Sequence, residues 1–365
     1  MKSAFSCRVA GAAALSAMAL TLAACGGASQ GAEGDGLSGT IAGSGASSQA
    51  NAVEGWVAGF METNPAATVT YAPTGSGTGV EQFLNSAVDF AGSDAALTRE
   101  ELEAAKERCG GNVLELPLYI SPIAVIYNLP GLNDKHLNLQ PETIAKIFAG
   151  EITHWNDPEI AEANPEVDLP DTPIVPVNRS DDSGTTENFT EYLSAAAPEA
   201  WPYQPAGLWP IEGTQSGSRT SGMLNVVEAA EGTIGYVDAS RVGDLGSVAV
   251  GVGDEFVPFS PEAAASVVDV SPPAEDATDT VLTIDLARDT EASGAYPIVL
   301  VSYSIACQTY DSAETASLVQ GYLSYVASEE GQERASRPDV AGSAPISGEL
   351  RTEVEAAIES ISAAE

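Results

Sequence analysis

The stretch Thr68-Val-Thr-Tyr-Ala-Pro-Thr-Gly-Ser-Gly-Thr-Gly-Val-Glu-Gln-Phe-Leu-Asn-Ser-Ala87 sets a β-type run, Thr68–Tyr71, ahead of a loop of glycines and hydroxyls, Thr74–Gly79, and then a helical pattern from Val80 to Ala87. Strand, small-residue turn and helix form the unit of α/β architecture. The alternation continues outward from it. Strands are expected at Ala124–Tyr127, Ile174–Val177, Thr233–Val237 and Pro297–Tyr303, and helices at Gln49–Glu62, Glu100–Arg108, Pro141–Ala149, Glu187–Ala195, Ala313–Ala327 and Glu349–Ser360. No internal repeat is visible. Asp254–Ala292 is acidic and rich in Ser, Pro and Asp, and reads as a variable surface segment.

The chain has 365 residues, 14 basic and 52 acidic, for a formal charge of −38. An apolar fraction of 44% is too high for a disordered acidic polymer, and the length favours two domains over one. The negative charge argues against nucleic acid as a partner. Two His and four Cys do not make a multi-ligand zinc site, so no metal or other cofactor is expected. A single apolar run excludes a polytopic membrane protein.

That run is at the N-terminus. Lys2 and Arg8 precede an uncharged stretch, Val9–Ala24, and then Leu22-Ala-Ala-Cys25. A basic region, an apolar region and a small-residue cleavage site describe a signal peptide, and the L-A-A-C string resembles a bacterial lipobox. That resemblance implies cleavage after residue 24, a lipid on Cys25 and anchoring to the outer face of the cell membrane. The alternative is a retained membrane helix, for which the run is short. Residues 25–36 then read as a flexible tether. Cys7 leaves with the signal and Cys25 takes the lipid. Cys109 and Cys307 remain for a disulfide in an oxidising compartment, unless they stay as two buried thiols.

One local pattern occurs three times. Gly43-Ser-Gly-Ala-Ser-Ser48, Thr74–Gly79 and Arg179-Ser-Asp-Asp-Ser-Gly-Thr-Thr186 each precede a helical pattern. Free N–H groups at a helix start point outward at the positive end of the dipole. Glycine lets the backbone approach closely, and Ser and Thr add donors. Three such starts meeting at one point would bind a small tetrahedral anion. Each alone is also compatible with an ordinary N-cap. The third carries Arg179, four residues before Ser183, whose guanidinium suits an oxyanion.

Other chemistries are poorly supported. No lysine follows the glycines as in a Walker P-loop, and no G-x-S-x-G elbow occurs. His136 and His154 lie in polar, turn-like segments and read as surface residues. Asn188-Phe-Thr190 matches a glycosylation sequon, but it falls on an expected helix and reads as chance.

Taken in order, Gly43–Ser48, Thr74–Gly77, Val88-Asp-Phe-Ala-Gly-Ser-Asp-Ala95, Ile152–Asp157, Arg179–Thr185 and Gly232-Thr-Ile-Gly-Tyr-Val237 resemble the phosphate-binding lipoprotein of the bacterial Pst ABC importer, in its actinobacterial form. The resemblance spans roughly residues 37–360. It implies a two-lobed, type II periplasmic-binding-protein fold with two crossovers, lobe I at 37–122 plus 295–365 and lobe II at 123–294. It also implies inorganic phosphate in the cleft. Carried over by motif, Ser47, the backbone of Ser48, Ser76 and Asp94 would contribute from lobe I, and Arg179, Ser183, the N–H of Gly184 and Thr185 from lobe II. Asp181 would hold Arg179 in place.

Two positions depart from the family pattern. Ser47-Ser48 stands where Thr-Phe is common, so the hydroxyl remains and the shielding aromatic does not. Asp182 stands where Gly is common and adds a negative charge.

The expected function is a monomeric, non-enzymatic receptor that captures phosphate outside the membrane and delivers it to permease subunits. The alternatives are a receptor for another tetrahedral oxyanion, a secreted phosphatase with a serine nucleophile, or an adhesive lipoprotein. Asp94 distinguishes the first two receptors, because its carboxylate can accept a hydrogen bond only from an anion that keeps a proton. It could instead cap a helix starting near Thr98.

Overall fold

The structure, a computed structural model, describes residues 36–364. The signal segment, Cys25 and the tether up to Asp35 lie outside the described residues.

The elements in chain order are β1 (Ser38–Gly45), α1 (Ala50–Thr63), β2 (Ala66–Ala72), α2 (Ser76–Leu84), β3 (Phe90–Ser93), α3 (Arg99–Arg108), β4 (Val113–Tyr127), β5 (His136–Leu139), α4 (Pro141–Ala149), α5 (Pro158–Ala163), β6 (Val175–Arg179) and α6 (Gly184–Ala196). They continue with β7 (Gln215–Gly217), α7 (Arg219–Ala229), β8 (Thr233–Asp238), β9 (Gly246–Val252), β10 (Glu255–Pro258), α8 (Pro261–Val270), β11 (Val299–Cys307), β12 (Thr309–Tyr310), α9 (Ala313–Ala327), α10 (Glu329–Ser336), α11 (Gly348–Glu359) and β13 (Ser362–Ala363).

The main sheet runs β2-β1-β3-β11-β4-β8-β6-β7, with β9 joined to β4, β5 and β10. It has two halves, and β4 belongs to both. Through Pro122, β4 pairs antiparallel with β11; from Ile123 onward it pairs antiparallel with β8. All fifteen residues of β4 are buried. Its two prolines lack N–H donors and would spoil a regular central strand. They sit where the ladder is already interrupted: Pro117 faces a register shift between Ser302 and Tyr303, and Pro122 stands at the change of partner.

Parallel pairing dominates away from this seam, with β1 against β2 and β3 in one half and β6 against β7 and β8 in the other. Parallel strands need crossover helices, and these cover the sheet. α1 buries Val53, Trp56 and Phe60, and α9 buries Leu318, Val319 and Tyr322. Cys109 and Cys307 form a disulfide with Cα atoms 5.3 Å apart. It ties the end of α3 to the end of β11.

Three expectations are corrected. The second glycine-rich string is not a loop before a helix at Val80, because α2 begins at Ser76 and the string is its first turn. Glycine and Thr78 are weak helix formers, and tertiary packing overrides that preference, with Gly79 set so closely against Gly45 that an added Cβ would overlap its backbone. Ala124–Tyr127 is only the end of the fifteen-residue β4. Asp254–Ala292 is not merely a surface segment. It supplies β10 and α8, which buries Ala264 and Val267, and it places Val281, Thr283 and Arg288 in the interior. Its acidic residues mask short apolar clusters that pack on β4.

Candidate functional site

Three helix starts and one loop converge where the halves of the sheet meet. From the first half come the β1–α1 turn with Ser47 and Ser48, the start of α2 with Ser76, and Asp94 just after β3. From the second half come Arg179 at the end of β6, and Ser183, Gly184 and Thr185 at the start of α6. All eight are buried.

Asp94 is the centre of the cluster. The Ser48 Oγ donates to its carboxylate, 2.7 Å from both oxygens. The Thr185 Oγ1 donates to Oδ2 across the halves at 2.8 Å. The backbone N–H of Asp94 donates to Ser76 Oγ at 3.2 Å. Burial pushes the Asp94 carboxyl above the usual carboxylate range; the Ser48 and Thr185 donors and the charge of Arg179 oppose the shift. Asp94 does not cap α3. Thr98 does so itself, in a capping box with Glu101.

Arg179 is 3% exposed. Its Nε and Nη2 donate to the two oxygens of Asp181 at 2.9 and 2.6 Å. Asp181 is held in turn by the backbone N–H of Arg219 at 2.9 Å. Burial alone would raise the Asp181 carboxyl, but the bonds and charge of Arg179 bring it below its ordinary value. This arrangement leaves Nη1 of the guanidinium unengaged by Asp181 and fixes the plane in which it lies.

The helix starts differ in their capping. α1 and α2 have no side-chain cap on their first-turn N–H groups. α6 does: Ser183 Oγ accepts from the Thr186 N–H at 3.3 Å, so the ordinary N-cap reading applies to this start. The Ser183 hydroxyl proton stays available for a further acceptor. Ser47 Oγ accepts from the Thr220 N–H at 3.1 Å and lies 2.9 Å from Thr220 Oγ1, a second contact between the halves.

Two glycines are required here. Gly75, before α2, has φ +103°, a conformation that favours glycine. A Cβ on Gly184 would lie 2.8 Å from the Asp94 Cβ and 2.9 Å from Ser76 Oγ, so only a bare backbone lets α6 come this close. Asp182 lies against the first turn of α2, where a Cβ added at Gly77 would meet its Cγ at 2.7 Å. Its carboxyl is raised by burial and by the neighbouring charges of Glu101 and Asp181.

Every anion-site residue expected from the sequence belongs to this cluster, Cys109 and Cys307 form the disulfide described above, and Cys25 lies outside the described residues. Several participants are not among the site residues expected from the sequence, although Tyr236 falls in the Gly232–Val237 string. Thr220 lies on α7, a helix hidden in a stretch of weak periodicity. Tyr236 accepts from the Arg179 N–H at 3.2 Å and pairs with Thr186 Oγ1 at 2.7 Å. Asn188, whose sequon match reads as chance, is buried and donates to the carbonyls of Asp94 and Gly184 at 2.6 and 2.8 Å. His136 and His154 are both exposed, as expected. Among the described residues no group of three or more His, Cys, Asp or Glu side chains could hold a metal.

Chemically, the cluster offers backbone N–H groups, hydroxyls and a guanidinium around one carboxylate acceptor. It suits an oxyanion that retains a proton.

Residues 30–330 match a PBP superfamily domain. The chain is 35% identical over 365 aligned residues to phosphate-binding protein PstS 2 of Mycobacterium tuberculosis, covering 95% of this chain and 97% of that one. It is 36% identical over 290 residues to phosphate-binding protein PstS 3 of Mycobacterium leprae, covering 78% of each. Among solved structures, a phosphate-binding protein from Stenotrophomonas maltophilia superposes with a TM-score of 0.69 at 21% identity, over 87% of this chain and 94% of that one. At that identity the likeness shows a shared fold.

Proposed function

The chain belongs to the PBP superfamily, in its phosphate-binding PstS family, and from that premise we propose that it captures inorganic phosphate outside the cytoplasm and hands it to the permease subunits of an ABC importer. The observation that carries this reading is the Asp94 carboxylate, bonded by the Ser48 and Thr185 hydroxyls at the meeting point of three helix starts.

The two halves of the sheet act as lobes, 37–122 with 295–365 and 123–294, that close on the ion. Ser47, the backbone of Ser48, Ser76 and Asp94 bind it from one side, and Arg179, Ser183, the Gly184 N–H and Thr185 from the other. Many preorganised donors acting together supply affinity. Distant surface carboxylates are screened beyond about 10 Å in 0.1 M salt and do not oppose binding at contact range. The protein works as a monomeric receptor and not as an enzyme, and a lipid on Cys25 anchors it to the outer face of the membrane.

Equilibrium titration of ligand-free protein with phosphate, arsenate and sulfate tests the reading. Binding of the first two with strong rejection of sulfate supports it; equal affinity for all three, or none, would overturn it. Cys25→Ala should move the protein from membrane to soluble fractions with phosphate binding intact.

A further inference from the structure

A second buried guanidinium lies close to the cluster and has no counterpart in the motifs. Arg288, 6% exposed, comes from the acidic segment that the sequence marks as surface. Four of its five N–H groups are engaged by protein. Nε donates to Glu191 Oε2 at 2.9 Å, Nη1 to the carbonyl of Val299 at 3.0 Å, and Nη2 to Asn188 Oδ1 and Glu191 Oε2. A guanidinium satisfied in this way is not a ligand for an anion. What it can do is orient its neighbours.

Asn188 is the neighbour that matters. A guanidinium has only donors, so the amide must turn its oxygen to Arg288. That leaves Nδ2 facing the other way, where its two hydrogens meet two acceptors, the carbonyls of Gly184 and Asp94. Gly184 is on α6 and Asp94 follows β3, so this amide staples the two halves of the sheet together beside the carboxylate. Val299 begins β11, the strand inserted between β3 and β4. Arg288 therefore connects the seam of the sheet, through one amide, to the loop that carries Asp94. It also lines a pocket of about 490 Å³ together with Asp94 and Asn188.

We infer that Arg288 is a positioning residue of the anion site, acting through Asn188 to latch the Asp94 loop against the start of α6 in the closed form. The inference rests on the phosphate-binding reading above. The latch bond between the halves exists only after closure, so its loss acts on release of the ion and leaves capture almost unchanged.

Stopped-flow phosphate kinetics on wild type, Arg288→Met, Asn188→Leu and the double variant test this, with thermal melting of each ligand-free protein alongside. The expected result is a phosphate dissociation rate raised at least tenfold in each single variant, an association rate altered less than threefold, and no further rise in the double variant. Arg288→Lys, which keeps the charge but not the fork, should recover only part of the loss. Unchanged dissociation in both single variants, or effects that add in the double variant, would overturn the latch while leaving phosphate binding by wild type intact. If Arg288→Met does not fold, Asn188→Leu alone decides by the same rates. Failure of the wild type to bind phosphate would overturn the functional reading and the latch with it.

Discussion

The Thr185 hydroxyl donates to the Asp94 carboxylate at 2.8 Å, although the two residues are 91 positions apart and lie on different halves of the sheet. Asp94 thus faces its own protein as an acceptor, and an incoming anion must present a proton to join it. Phosphate near neutral pH retains at least one proton and sulfate retains none. A site built around such a bond can reject the analogue lacking it by about 10⁴ or more. Asp94→Asn should narrow the phosphate-to-sulfate preference, because an amide can donate to sulfate. Competition titrations check this, and arsenate should follow phosphate throughout. Full discrimination retained in the variant would show that the carboxylate plays no part in selection.

Gly184→Ala should weaken binding without destabilising the ligand-free protein. The added methyl would press on the Asp94 Cβ, Ser76 Oγ and the Ala95 N–H, all across the divide between the halves and all within 2.9 Å. With the halves apart it meets none of them, and alanine is a good helix former at that position. Calorimetry should therefore show a fall in phosphate affinity of about tenfold or more. A melting temperature reduced in the absence of ligand would instead mean that the contact is a fixed part of the core.

Arg179→Ala removes the guanidinium and leaves Asp181 partly buried with only the Arg219 N–H for company. By comparison with truncated buried charge pairs, the loss should be on the order of 2–5 kcal/mol, at least about thirtyfold in affinity. A smaller loss in equilibrium titration would assign most of the affinity to the helix starts.

Stability should decline as pH rises from about 4.5 to about 7. Glu115, in the middle of β4, is 1% exposed and accepts the Leu97 N–H at 2.7 Å. Burial raises its carboxyl from 4.5 to about 7. Between those values the folded chain holds a proton that the unfolded chain has released, so the contribution is full below pH 4.5 and is lost as pH climbs to about 7. Glu187, raised to about 7, and Asp238, raised to about 6, act in the same direction. Melting curves of wild type and Glu115→Gln between pH 5 and 8 should converge at the acid end. The variant should gain at the alkaline end, by at most about 3 kcal/mol. Parallel curves would show that Glu115 does not titrate in this range.

The sequence made the anion-binding half of the site readable because its donors lie in short, local motifs. Ser47, Ser76, Arg179 and Ser183 lie in or beside short strings whose glycines and hydroxyls announce a helix start. Partners drawn from elsewhere in the chain left no such trace. Thr220, Tyr236 and Asn188 matter only through bonds to residues far along the sequence. Arg288 was hidden among acidic residues whose composition points to solvent. The strands show the same division. β2, β6 and β8 were visible as β-branched runs. β4 was seen only at its end, because its prolines break the local pattern where the tertiary pairing breaks as well.

β11 lies between β3 and β4, and about 170 residues separate it from the end of β4. A chain that emerges N-terminus first must therefore make β3 and β4 long before the strand that joins them. Until Val299–Cys307 arrives, both present open hydrogen-bonding edges, and β4, buried along its whole length in the finished fold, lacks that cover. Pairing at such long range is slow. The disulfide cannot shorten the wait, since Cys307 arrives with β11 itself and Cys109 waits 198 residues for it. The most hazardous moment in the life of this protein is therefore during its birth, and the capacity of the cell to shield a half-emerged chain sets how much of it folds.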